Sequence, residues 1–140
     1  MIVTELTEFS MHPVFDRGVP NLERIPIQVR QQTAIGQFGL MTGSVTQPGF
    51  AIPMIDNLFW FGDAIVNPGD WIIVYTGNGI ARTDDWNNPP GSKVYSVHWG
   101  RNKTMFANTN IVPILFKTNS ILVGATPSDL PQIGYISPQQ

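Results

Sequence analysis

The stretch from Val66 to Gly79, Val-Asn-Pro-Gly-Asp-Trp-Ile-Ile-Val-Tyr-Thr-Gly-Asn-Gly, limits what this chain can fold into more than any other. Asn67-Pro68-Gly69-Asp70 specifies a tight turn, because proline pre-sets its own φ and glycine accepts the positive φ that other residues avoid. Trp71 to Tyr75 is then an unbroken apolar and aromatic run. Such a run reads as a strand covered on both faces or lying at the centre of a sandwich. Thr76-Gly77-Asn78-Gly79 punctuates its exit. Trp71 and Trp99 are expected to sit in the core that closes around it.

The remaining composition fits a β-rich interior. The chain has 140 residues, about one domain, with 13 glycines and 12 prolines spread without period. That density of turn residues beside 11% aromatics suits an all-β domain better than disorder. Cysteine is absent, which excludes disulfides, thiolate nucleophiles and cysteine-bound zinc. Charged residues make up 13% and the formal balance is -2, so the basic field of a general nucleic-acid binder is missing. Met1 to Phe9 has no basic region ahead of a long apolar run, and no stretch approaches a bilayer span. The sequence therefore predicts a soluble, cytoplasmic protein with no membrane contact.

Taken in order, residues 1–9 alternate as a short strand, and residues 10–22 form an irregular arm broken by Pro13, Gly18 and Pro20. Glu23 to Arg30 alternates, with Ile25, Ile27 and Val29 on one face; Pro26 lacks the donor a ladder needs, which places the strand at an edge or beside a bulge. Ile35, Phe38 and Leu40 are core candidates. Thr42 to Pro53 reads as a loop, Met54 to Phe61 as a strand, and Ile80 to Ser92 as a long polar loop. Lys93 to Trp99 alternates again, with Tyr95, Val97 and Trp99 on one side. Ile111 to Phe116 and Ile121 to Val123 are expected to pair as a hairpin. The domain boundaries that follow are an arm over 1–22, a core over 23–123 and an extended, proline-containing tail over 124–140.

Gly69-Asp70-Trp71-Ile72-Ile73-Val74-Tyr75-Thr76-Gly77-Asn78-Gly79, then His98-Trp99-Gly100, Phe106-Ala107-Asn108, Leu115 and Ile121-Leu122-Val123 together resemble the second half of lamin-tail domains. Ile35-Gly36, Phe38 and Leu40 are similar to that family's leucine, glycine, tryptophan, leucine stretch, with phenylalanine replacing tryptophan. The likeness covers roughly Glu23 to Val123. It implies an immunoglobulin-like β-sandwich acting as an interaction module without catalysis. The chain departs from the family in having Phe106 where tryptophan is usual, and in lacking the acidic residue after the asparagine turn.

Candidate sites have to be weighed against plain structural roles. Asp84 and Asp85 are adjacent, so on extended backbone they point apart and do not form an acid and base pair. With Asn87 they carry oxygen ligands of the kind calcium accepts, but a solvated loop accounts for them, and no metal or cofactor is expected. Ser96 and His98 share a strand face without a third catalytic group or a nucleophile elbow. Thr76-Gly77-Asn78-Gly79 lacks the lysine and helix of a phosphate cradle. No enzyme is expected. The binding candidates are Arg82, Trp86, Tyr95, Arg101 and Lys103, since aromatic and arginine side chains dominate interface hot spots; the alternative for Trp86 is a plug over the sandwich end. Two functions remain: a protein-interaction or assembly module, self-associating through the Ile25 to Val29 edge or through exposed aromatics, or a carbohydrate- or nucleic-acid-binding module using Trp86 beside Arg101 and Lys103.

Overall fold

Alternate residues of the central run turn inward. Ile72 and Val74 are buried while Trp71, Ile73 and Tyr75 stay half-buried on the opposite face, as the two-residue period of a strand requires. The computed structural model describes residues 5–127, apart from the side chain of Asp56. The strand expected over residues 1–9 lies partly, and the tail over 124–140 mostly, outside the described residues.

The elements are β1 (Phe9–Met11), β2 (Arg24–Val29), β3 (Thr33–Ala34), a single 3-10 turn (Ile35–Gln37), β4 (Phe38–Gln47), β5 (Phe50–Trp60), β6 (Ile65–Val66), β7 (Trp71–Tyr75), β8 (Arg82–Asp85), β9 (Lys93–His98) and β10 (Ile111–Lys117). They form a five-stranded sheet in the order β1-β2-β7-β9-β8, a three-stranded sheet β10-β4-β5 and the small pair β3-β6. β7 and β9 run parallel; the other pairings are antiparallel. The fold is all-β and sandwich-like.

Both large sheets contribute to one core. Ile25, Ile27 and Val29 of β2 and Ile72 and Val74 of β7 join Phe38 and Leu40 of β4 in a single buried cluster. Phe9 meets Phe38 edge-on across the two sheets at 4.9 Å, and Phe59 of β5 lies 5.7 Å from Trp99. Each fully buried side chain of this size contributes about 1.5 to 3 kcal/mol relative to exposure.

Two buried carboxyl groups fasten loops onto this frame. Asp70 accepts from the backbone N–H of Asn67 at 2.8 Å and of Lys93 at 2.9 Å, joining the turn before β7 to the start of β9. Gly69 takes φ 92°, as the Pro-Gly turn requires. Glu23, 1% exposed, accepts from the N–H of Gly18, Met105 and Phe106 and from the Thr76 hydroxyl. Arg17 adds donors to the carbonyls of Phe106 at 3.1 Å and Ile111 at 2.9 Å. The irregular arm is thereby tied to the loop that precedes β10.

Several expectations are corrected. Thr42 to Pro53 is not a loop: β4 runs to Gln47 and β5 starts at Phe50, so only Pro48 and Gly49 turn a long hairpin. β2 is no edge, because it lies between β1 and β7. Pro26 is tolerated there because the β1 ladder ends at the Met11 and Ile27 pair; the carbonyl of Pro26 still accepts from His12 N–H. The polar stretch over 80–92 contains strand β8. Residues 121–123 make no hairpin with β10, whose partner is β4. Trp99 is buried as expected, but Trp71 is on the outer face, packed against His12 with ring centroids 4.9 Å apart.

Candidate functional site

The five sequence candidates do not converge. Trp86 follows β8 and its N–H donates to Ser92 O, just before β9 begins. Arg101 and Lys103 follow the other end of β9, so the length of a six-residue strand, roughly 17 Å, separates them from the indole. Arg82 pairs with Ser96 and forms an ion pair with Asp84 at 2.8 Å. Tyr95 points the other way: it packs against the core, and burial, with the nearby Asp70 charge, raises its phenol pKa. Asp85 is held by Lys93, which pushes the lysine pKa up. A shared stacking platform of Trp86, Arg101 and Lys103 is therefore not assembled. Among the described residues no group of three histidine or acidic side chains is placed to hold a metal ion.

A surface that sequence reasoning missed lies on the three-stranded sheet. Phe38, Leu40 and Thr42 of β4 are buried, so the residues between them, Gly39 and Met41, and Gly43 beyond, belong to the outer face. Directly paired residues share a face. That places Val112, Ile114 and Phe116 of β10 and Leu58 and Trp60 of β5 beside them. None of these side chains is charged or carries a hydroxyl. Phe116 leans over Gly39, where a β-carbon would come within 2.6 Å of its ring, and meets Trp60 edge-on at 5.5 Å. Phe116 over Gly39 and Ile114 over Gly43 thus fill the glycine gaps in an apolar surface.

This face is open. Leu58 is 51% and Trp60 46% exposed. With strands about 4.8 Å apart and rising about 3.3 Å per residue, the patch spans roughly 15 by 20 Å. The outer face of the five-stranded sheet differs, because the arm from His12 to Phe15 lies across it and encloses a groove of about 220 Å³ with Arg24, Trp71 and Tyr75. The signal for the open face was present in the sequence: Ile111 to Phe116 contains no polar residue, the pattern of a strand meant to be covered on both sides.

No helix among the described residues is long and apolar enough to cross a membrane. No protein-family model, no curated protein and no solved structure matches the chain.

Proposed function

We propose that this chain is a non-enzymatic assembly module that binds a second copy of itself through the outer face of β4, β5 and β10. One observation carries the reading: a sheet face built from three strands with no charged side chain among its described residues, on which Leu58 and Trp60 are about half exposed. At roughly 300 Å² the patch matches the largest apolar patch that monomers usually carry, which is often a functional surface. The lack of charge favours an identical copy, because homodimer interfaces resemble a domain core cut in half, whereas transient partners meet through more polar surfaces. Two such sheet faces apposed across a two-fold axis would pack as the layers of a sandwich do, about 10 Å apart. The all-β build and the core shared by two sheets also support the lamin-tail-like, immunoglobulin-like relationship, which we propose together with the binding role.

Sedimentation velocity across a hundredfold dilution tests this. The parent chain is expected to associate reversibly, and Ile114→Lys, which puts a charge at the centre of the face without entering the core, is expected to be monomeric with an unchanged circular dichroism spectrum. A parent that stays monomeric at submillimolar concentration, or an Ile114→Lys chain that associates equally well, refutes self-assembly by this face.

A further inference from the structure

The outer face of β2 and β7 lies on the other side of the sandwich from the self-associating face, and there the arm encloses its groove of about 220 Å³. Pro26 and Ile73, paired across the two strands, separate the Trp71 row from the Tyr75 row. His12 and Phe15 of the arm add two more rings to the lining. Trp71 and Tyr75 stand four residues apart on one face of β7, roughly 13 Å at the rise of a strand. The rings are held before anything binds. Tyr75 stacks on His98 with centroids 5.3 Å apart and planes 20° from parallel. His98 is backed in turn by Gly79, where a β-carbon would collide with the imidazole. Trp71 packs against His12, and the Arg24 guanidinium lies 5.3 Å from the centre of the Phe15 ring. Side chains ordered in advance lower the cost of binding.

Charge in this groove is already balanced. Arg24 is the only lysine or arginine among the described residues that line it; it is paired with Asp16 at 2.6 Å and donates to the Leu22 carbonyl at 2.9 Å. No carboxylate among the described residues lines it. An anion would meet a cation that is compensated, and a cation would meet no acid, so electrostatic complementarity selects a neutral ligand. Nor does the groove offer a strand edge for an extended peptide to pair with, because β2 and β7 are both interior strands. It does offer ring faces beside polar tips. The Trp71 indole N–H and the Tyr75 hydroxyl have no hydrogen-bond partner among the described residues.

We propose that this groove binds a neutral glycan whose pyranose rings run from Trp71 to Tyr75, packing their C–H faces on the two aromatic rings, with sugar hydroxyls accepting from the indole N–H and exchanging a hydrogen bond with the Tyr75 hydroxyl. A sugar ring is apolar on its C–H faces and polar at its rim, which matches aromatic side chains that carry one polar tip. The site is separate from Trp86, Arg101 and Lys103. It is also independent of self-association, and the Ile114→Lys chain serves as a second binding sample.

Titration calorimetry and chemical-shift mapping with cellohexaose, laminarihexaose, chitohexaose and mannohexaose test it, with oligoproline as the competing class. At least one of the four sugars is expected to bind saturably, with shifts centred on His12, residues 71–75 and the Trp71 indole. Its affinity should be the same in low and high salt, because no charge is neutralised. Trp71→Ala should weaken it about tenfold by removing a stacking face, while Trp86→Ala leaves it unchanged. Tyr75→Phe keeps the ring and should weaken it about threefold through loss of one hydrogen bond. The absence of saturable binding by all four sugars overturns the proposal. So does binding that Trp71→Ala leaves intact, which would place the sugar elsewhere, and so does binding of oligoproline alone at these residues, which would make the groove a peptide site.

Discussion

Replacing Glu23 by alanine tests the frame of the molecule most directly. Its carboxyl group receives four donors: Gly18 N–H at 2.7 Å, Met105 N–H at 2.6 Å, Phe106 N–H at 3.0 Å and the Thr76 hydroxyl at 2.8 Å. The hydroxyl has a second acceptor within reach in the Glu23 carbonyl at 3.4 Å, which survives the substitution. The three backbone donors have none. A buried donor left unmade costs about 1 to 3 kcal/mol. Gly18 and Met105 are only partly shielded and take the lower value, whereas Phe106 is fully buried and takes the upper. The expected loss is therefore about 4 to 5 kcal/mol, a large share of the 5 to 15 kcal/mol typical of a domain. Urea unfolding followed by tryptophan fluorescence should show a lower midpoint with an unchanged slope. Glu23→Gln keeps one acceptor oxygen and should lose roughly half as much. A Glu23→Ala chain within about 1 kcal/mol of the parent would refute the view that this carboxyl group pins the arm to the loop before β10.

Other outcomes follow from burial and charge. Trp99→Ala should cost about 3 to 5 kcal/mol by opening a core cavity beside Phe59, whereas Trp71→Ala, on the outer face, should cost about 1 kcal/mol; equal losses in urea unfolding would contradict the face assignment of β7. Tyr95 should make the fold sensitive to alkali. Burial raises its pKa above the unfolded value, so its contribution is complete below the usual tyrosine range and is lost as pH rises through the folded value. Melting temperatures of the parent should therefore fall more steeply than those of Tyr95→Phe above about pH 10. Parallel curves for the two chains would show that the phenol does not carry this dependence.

Local chemistry was readable in the sequence, while parity and neighbourhood were harder to see. The turn at Asn67 to Asp70 forms as its residues require, and the alternating strands β2 and β9 orient as their patterns predict, Tyr95 and Val97 packing against the core. An unbroken apolar run hides which alternate residues point inward, so the sequence alone places Trp71 in the core although it lies on the outer face. The hairpin of β4 and β5 was hidden by Gly43, Pro48, Gly49 and Pro53, which mark loops in most contexts. Here Gly49 takes φ 81° in the turn itself, Pro53 borders the bulge on an edge strand, and Gly43 is shielded by Ile114. Pro26 correctly signalled a missing donor, but an interior strand meets that condition where its neighbour gives out. The binding candidates were grouped by closeness in sequence; Trp86 and Arg101 flank one strand, and a strand carries its two ends apart. Glu23 reads in the sequence as the first residue of an alternating strand, and nothing in its neighbours shows that the N–H groups of Gly18, Met105 and Phe106 converge on it.

The topology of the five-stranded sheet has a consequence for the order in which amides become shielded. β8 touches the sheet only through β9, which inserts between β8 and its parallel neighbour β7. Any opening that releases β9 from β7 carries β8 away with it, but β8 can fray while β9 stays in place. Protection against deuterium uptake at Arg82 and Asp84, which pair with Ser96 and Val94, can therefore never exceed that of the β9 backbone they lean on, and this ceiling is imposed by connectivity alone.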